Sequence, residues 1–226
     1  MSIELEDIGI DIRYIDKTYS GKNIYVEFNG HLRDEQSLAL EHLLHHDIGI
    51  LSGTTAFGKT IVAIKLIAEK KVNTLILVDK ISLLSQWKEK LSDFLVVNEP
   101  LPEQPETVSK KRGRKKKIDI IGQLGGGKNA LNGIVDIAVM QSISRKGEVK
   151  ECVNNYGMLI ADECHHASAF TYEHILKTAR AKYIYGLTAT PTRKDGHHPI
   201  LFMRCGPIRY RDDPKKQAEN RPFDHY

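Results

Sequence analysis

Two stretches far apart in the chain hold side chains whose types and spacing suit one piece of chemistry. "GTTAFGKT", Gly53 to Thr60, satisfies G-x-x-x-x-G-K-[ST]. Between a strand and a helix, such a turn aims loop amides and a helix N-terminus at phosphate oxygens. Lys59 then reaches the terminal phosphates, and the Thr60 hydroxyl completes a Mg²⁺ shell. "MLIADECHH" adds carboxylates at the end of an apolar run: Asp162 suits the metal shell, and Glu163 can orient or deprotonate a water.

A second match acts as a control. Gly122 to Lys128, "GQLGGGK", also fits G-x-x-x-x-G-K, but Asn129 stands where Ser or Thr is required. The following "NALNG" is too short to run as a covered helix before the next apolar run. This stretch reads as a hairpin tip.

The elements that must position these groups can be read from periodicity. "LRDEQSLALEHLLHH" (32–46) carries leucines at helical spacing, with Asp34 and Glu35 in its first turn and His42, His45 and His46 on its polar face and end. "IGILS" (48–52) reads as a buried strand before the glycine turn, and "TIVAIKLIAEKK" (60–71) as a helix after it. "TLILV" (74–78), "IDIIG" (118–122), "IVDIAVM" (134–140), "MLIAD" (158–162) and "YIYGLTA" (183–189) read as further strands. "SLLSQWKEKLSDFL" (82–95) and "FTYEHILKTAR" (170–180) read as helices. Apolar strands alternating with helices imply an α/β fold, a mostly parallel sheet with helices on both faces. Ligands of such sheets gather at the carboxyl ends of the strands. Three loaded turns sit there, Gly53–Thr60, Asp162–His166 and Thr188–Pro191, and one crevice could hold them all.

The chain has 226 residues, 41% apolar and 27% charged, as expected of a globular protein with one or two domains. Residues 1–30 read as a short hairpin around the Ser20–Asn23 turn, leading into one domain over 31–211. Residues 98–117, with three prolines and then "KKRGRKKK", read as an exposed basic insertion, and 212–226 as a linker. The net charge of +4 resides in that block, since the rest of the chain holds more acids than bases. Neutralising Lys115, Lys116 and Lys117 should flatten the salt dependence of any nucleic-acid binding. No apolar run reaches membrane length, the N-terminus is not of secretory type, and three unpaired-looking cysteines fit a reducing cytosol. The expectation is a cytoplasmic protein with no membrane partner.

"DECH" (162–165) followed by "GLTATPTR" (186–193) resembles motifs II and III of superfamily 2 helicases, the DEAD/DEAH class of nucleic-acid motors. The nearest branch is that of xeroderma-type repair helicases and restriction-enzyme motor subunits, and the resemblance spans roughly Leu32 to Arg211. It implies the first of two RecA-like P-loop domains, binding ATP and Mg²⁺ and coupling hydrolysis to movement on nucleic acid, with DNA favoured over RNA. "LRDEQ" is similar to the adenine-sensing element, so Gln36, helped by Arg33, would read the base. Thr55, Ala56, Phe57, Gly58, Lys59 and Thr60 would hold the nucleotide, with Thr60 and Asp162 on the metal and Glu163 on the water. "LVDKISLLSQW" resembles motif Ia, giving Lys80 and Gln86 as contacts to a nucleic-acid backbone. "AVMQSI" falls where motif Ib does, giving Gln141 and Ser142. His165 would link the nucleotide to the partner domain, and Thr188 and Thr190 would couple hydrolysis to strand movement.

The sequence departs from the pattern in two ways. Ala56 stands where the family often has glycine, with bulky Phe57 beside it. Nothing after "RYRDDPKKQAENRPFDHY" resembles motifs IV to VI, so the second RecA-like domain, and the arginine it would supply, lie outside this sequence; such an arginine is worth ~10³ or more in rate. Two other readings stay open: a P-loop ATPase or kinase acting on a small molecule or protein, and a zinc-dependent module built on Cys164, His165, His166, His197 and His198. The zinc reading lacks a C-x₂-C pair.

Overall fold

Short runs of Val, Ile and Leu, each followed by turn residues and an amphipathic stretch, bury both faces most readily as inner strands of a parallel sheet. The computed structural model describes residues 16–99, 120–145, 147–163, 169–189 and 205–212. The strands are β1 (Val26–Phe28), β2 (Ile48–Ser52), β3 (Thr74–Val78), β4 (Leu95–Val97), β5 (Ile121–Gly125), β6 (Lys128–Ala130), β7 (Val135–Val139), β8 (Ser144–Arg145), β9 (Glu148–Val149), β10 (Met158–Ala161), β11 (Tyr183–Thr188) and β12 (Ile208–Arg211). The helices are α1 (Asp34–Leu44), α2 (Lys59–Lys70), α3 (Ile81–Phe94), α4 (Met140–Ile143) and α5 (Ala169–Thr178).

Eight strands form one sheet in the order β12-β2-β11-β10-β3-β7-β5-β6. All neighbours run parallel except the β5–β6 hairpin at one edge. The two-residue strand period divides the side chains between two cores. Leu51, Ile76, Val78 and Ile160 pack with Leu43 of α1, Ile64 of α2 and Trp87 of α3. Their neighbours Ile50, Leu75, Leu77 and Leu159 pack with Ile143 of α4 and Ile175 of α5. Helices therefore cover both faces, as the sequence implies. The fold sends β2, β11, β10, β3 and β7 to the same carboxyl edge, where all the loaded turns begin.

Three local expectations are corrected. Residues 19–28 do not pair across the Ser20–Asn23 turn. Among the described residues, Tyr19 bridges to Ala181, Asn23 to Val72, and β1 lies antiparallel to β4. The reason is a set of non-local bonds at the amino end of the sheet. Asn73 Oδ1 accepts the N–H of Lys22 at 2.8 Å and that of Gly157 at 3.1 Å, while Asn73 N donates to Lys22 O at 2.8 Å. Gly21 and Gly157 come so close there that a Cβ on either would overlap the other's backbone.

The second correction is the strand expected at 118–122, which instead spans Ile121–Gly125. Gly122 lies inside it, opposite Asp136, where any Cβ would overlap the Asp136 carboxylate. The third is β12, hidden within the expected domain end. It adds as an edge strand beside β2, and Asp212 still donates its N–H to Ser52 O at 2.8 Å. Residues 1–15 of the lead-in, 100–119 of the insertion and 213–226 of the linker lie outside the described residues. Among the described residues, no helix is long and apolar enough to cross a membrane.

Candidate functional site

The glycine turn leaves β2 at Ser52 and immediately crosses β11, Gly53 N–H donating to Thr188 O at 3.0 Å. A 3-10 turn comes next over Thr55–Phe57, and then Gly58, at φ 84°, reverses the backbone and caps α2. That left-handed conformation favours glycine. Phe57 settles the departure from the family pattern. Its ring is fully buried, against Gly53 and 5.8 Å from the Tyr210 ring of β12. The loop is thus anchored from beneath, while Thr55 and Ala56 remain exposed at its crown.

The Phe57 carbonyl is gripped from α1. Gln36 Nε2 donates to it at 2.7 Å and Arg33 Nη2 at 2.5 Å, while Gln36 Oε1 accepts Arg33 N–H at 3.0 Å. The pair expected to sense adenine therefore braces the glycine turn. Lys59 is 6% exposed. Its amine donates to Gly53 O at 2.8 Å and Thr54 O at 3.2 Å, and stands 3.9 Å from Glu163 Oε1. Thr60 lies beside it in the first turn of α2, half-buried.

Asp162 directly follows β10, two strands away from β2 in the sheet, and its carboxylate is buried. Trp87 Nε1 of α3 donates to Oδ2 at 2.7 Å, and Glu163 N–H donates to Oδ1 at 3.0 Å. Burial raises the Asp162 carboxyl above its ordinary value; the Trp87 N–H and the Lys59 charge oppose this. Glu163 is one of two described non-glycine residues at positive φ, 47°. This sharp reversal brings Glu163 to the lysine directly after Asp162. An ammonium, a hydroxyl and two carboxylates therefore converge around a loop with a helix N-terminus at its floor. This donor set fits a nucleoside triphosphate with Mg²⁺: hard oxygen ligands in Thr60 and Asp162, and a cation in Lys59. Thr188, fully buried, closes the crevice from β11.

The other half of the carboxyl edge holds the residues expected to touch a nucleic-acid backbone. Lys80 caps the N-terminus of α3 and is exposed, as is Gln86 further along that helix; Gln141 is exposed and Ser142 half-buried on α4. Sequence reasoning reads the element between them as a hairpin tip, and β5–β6 is one; what it missed is the place of that tip beside these residues. The β5–β6 tip places Gly126 against Ile81 and Gly125 against Ser142. The "GGGK" run signals the hairpin, but nothing local in it signals the approach to Ile81 and Ser142. Sequence reasoning also missed Asp212, whose carboxylate accepts the Thr54 hydroxyl at 3.4 Å.

His165 and Thr190 lie outside the described residues, as do Cys164, His166, His197 and His198. Among the described residues, no group of three or more His, Cys, Asp or Glu could hold a metal by themselves. His45 ends α1 with Nδ1 2.8 Å from Glu41 O.

A family model described as type III restriction enzyme, res subunit, matches residues 29–193. The DNA 3'-5' translocase XPB2 of Sulfurisphaera tokodaii is 34% identical over 187 residues, 83% of this chain and 37% of that protein. The putative helicase 109L of Invertebrate iridescent virus 3 is 33% identical over 197 residues, 80% of this chain and 51% of that one. The chain thus spans about a third to a half of these relatives' length. Among solved structures, the UvsW helicase of bacteriophage T4 matches with TM-score 0.59 at 18% identity, over 93% of this chain and 76% of that one, and so shares the fold.

Proposed function

Since the chain belongs to the family of type III restriction enzyme res subunits, with the fold of a first superfamily 2 motor domain, we propose that it is the ATP-binding half of a DNA helicase or translocase. The observation that carries the proposal is the 3.9 Å approach of Lys59 to Glu163, which joins the turn after β2 to the carboxylates after β10. In this reading the amides of Thr55 to Lys59 cradle the phosphates, and Lys59 transfers its donors from the Gly53 and Thr54 carbonyls to phosphate oxygens. Thr60 and Asp162 would hold Mg²⁺, which when bound neutralises phosphate charge. Glu163 orients the attacking water and takes its proton. Gln36 and Arg33, already on the Phe57 carbonyl, read the base and report its presence to the loop.

Lys80, Gln86, Gln141 and Ser142 would grip the nucleic-acid backbone, which gives affinity with little base specificity. The β5–β6 tip adds Lys128 and glycine amides beside them. His165, Thr188 and Thr190 would relay hydrolysis to strand movement. A second RecA-like domain would complete the ATP site with an arginine, residues 31–211 forming the first domain and 212–226 leading towards the second. DNA is the favoured substrate, since several relatives are named as DNA translocases or helicases, although one is named as an RNA helicase. The work would be done in the cytoplasm.

The test is ATP hydrolysis by the full-length gene product with DNA, with RNA and with neither. Stimulation by DNA above RNA is expected. Turnover indifferent to both, with phosphate passed to a small acceptor, overturns the proposal. This chain alone should turn over slowly, and full turnover by it would show that the second domain is dispensable.

A further inference from the structure

The buried face of α3 is Leu84, Trp87 and Leu91, spaced three and four apart as a core-facing stripe requires. Leucine or phenylalanine would fill such a position without a polar atom. An indole carries an N–H that must find a partner when buried. Trp87 is 1% exposed, and its partner is Oδ2 of Asp162 at 2.7 Å. The other oxygen of the same carboxylate accepts the Glu163 N–H at 3.0 Å. Each oxygen is thus held by one donor, from a different element, which fixes the plane of the carboxylate and leaves lone pairs on both oxygens. The helix supplying the indole begins at exposed Lys80 and carries exposed Gln86 next to Trp87 in sequence. It therefore belongs to the half of the carboxyl edge assigned above to nucleic acid, whereas Asp162 belongs to the nucleotide half.

We infer that Trp87 is a positioning residue: its indole N–H holds the Asp162 carboxylate in the orientation that receives magnesium with a bound nucleotide. The inference rests on the nucleotide-site reading of Lys59, Thr60 and Asp162. It predicts that loss of this one hydrogen bond weakens the magnesium-dependent part of nucleotide binding and spares the part made by the loop. Trp87 is the chain's single tryptophan, so it also reports on itself.

The experiment measures ADP affinity of the full chain by calorimetry, with magnesium and with chelator. Three forms are compared: wild type, Trp87→Phe, and the chain with benzothienylalanine at position 87, in which sulfur replaces the N–H and the ring shape is kept. Magnesium-free affinity should agree within about two-fold in all three, while the gain conferred by magnesium falls about ten-fold in both variants, as expected for a hydrogen bond to a charged group. In the wild type, tryptophan emission should change when magnesium joins the ADP complex and stay constant when magnesium is added alone. An undiminished magnesium gain with benzothienylalanine overturns the inference and leaves Trp87 a packing residue. Absence of any ADP binding by the wild type overturns the nucleotide-site reading itself, and the inference with it.

Discussion

Residues 53–60 and 122–129 obey nearly the same pattern of glycines and lysine, yet they fold into different objects. The first leaves a strand, makes a 3-10 turn and enters a twelve-residue helix through Gly58. The second leaves a strand, reverses through Gly125, Gly126 and Gly127, all at positive φ, and returns as β6 with Gly125 opposite Lys128. Consecutive left-handed residues are what a tight hairpin demands. Lys59 is buried among carbonyls and a carboxylate; Lys128 is exposed at an edge. The lysine is the same in both, and the difference lies in the residues C-terminal to it. "TIVAIKLIAEK" carries an apolar helical stripe that the core can bury, and "NALNG" does not.

Paired substitutions test the contrast. The largest effect is expected from Lys59→Ala, which should slow ATP turnover about a hundred-fold or more by removing a donor aimed at developing charge. Lys128→Ala should leave nucleotide affinity within about two-fold, as read by fluorescent-nucleotide titration. Equal losses in both would mean that the second stretch is also a phosphate site.

Gly58→Ala comes next. It places a side chain at φ 84° with a Cβ 2.6 Å from Gln36 Nε2. A loss of about 2 kcal/mol by denaturant unfolding, together with weakened nucleotide binding, is expected from strain plus the displaced brace. Gly127→Ala, at φ 79° with open space around it, should cost about 1 kcal/mol and leave nucleotide binding alone.

Asp136 sits beneath the second stretch, its carboxylate receiving the N–H groups of Asn132 and Gly133 at 3.0 and 2.7 Å and the Tyr156 hydroxyl at 2.5 Å. Burial raises its pKa, with those donors opposing. The folded state therefore keeps the proton over a pH window in which the unfolded chain has released it, and stability falls as pH rises through that window. Asp136→Asn abolishes this slope but leaves one donor poorly met. It should be less stable by about 1 kcal/mol at the acid end, and the deficit relative to wild type should shrink as pH rises, tracked by thermal unfolding across pH. A constant deficit would show that Asp136 does not titrate with folding.

The smallest effect sharpens the contrast most. Asn129→Thr completes the missing Ser/Thr of the second pattern, yet should shift stability by no more than about 0.5 kcal/mol and leave one nucleotide bound per chain. A second equivalent of bound nucleotide would refute the idea that the helix after the lysine makes the phosphate site.

The same contrast explains how much of the molecule is legible in the sequence. The inner strands β2, β3, β7, β10 and β11 are buried on both faces, and continuous apolar runs announce such strands. The turns after β2 and β10 are legible because their chemistry is local. β12 is not: its Ile-Arg-Tyr-Arg alternation is that of an edge, and the strand it joins lies far back in the chain. The grip of Arg33 and Gln36 on Phe57 and the bond from Trp87 to Asp162 are equally hidden, since each forms between elements that only the folded sheet brings together.

The place of β12 bears on how the domain responds to force. It lies parallel to β2, its end is tied to Ser52 O and Thr54 Oγ1 by Asp212, and the chain continues from there. Tension arriving through the residues after Asp212 pulls β12 along its own axis, so its rungs to β2 must shear together instead of unzipping singly. The strain is delivered beside the turn that carries Lys59, so in the proposed site a tug on the polypeptide there would register first as an altered hold on phosphate, before any loss of structure.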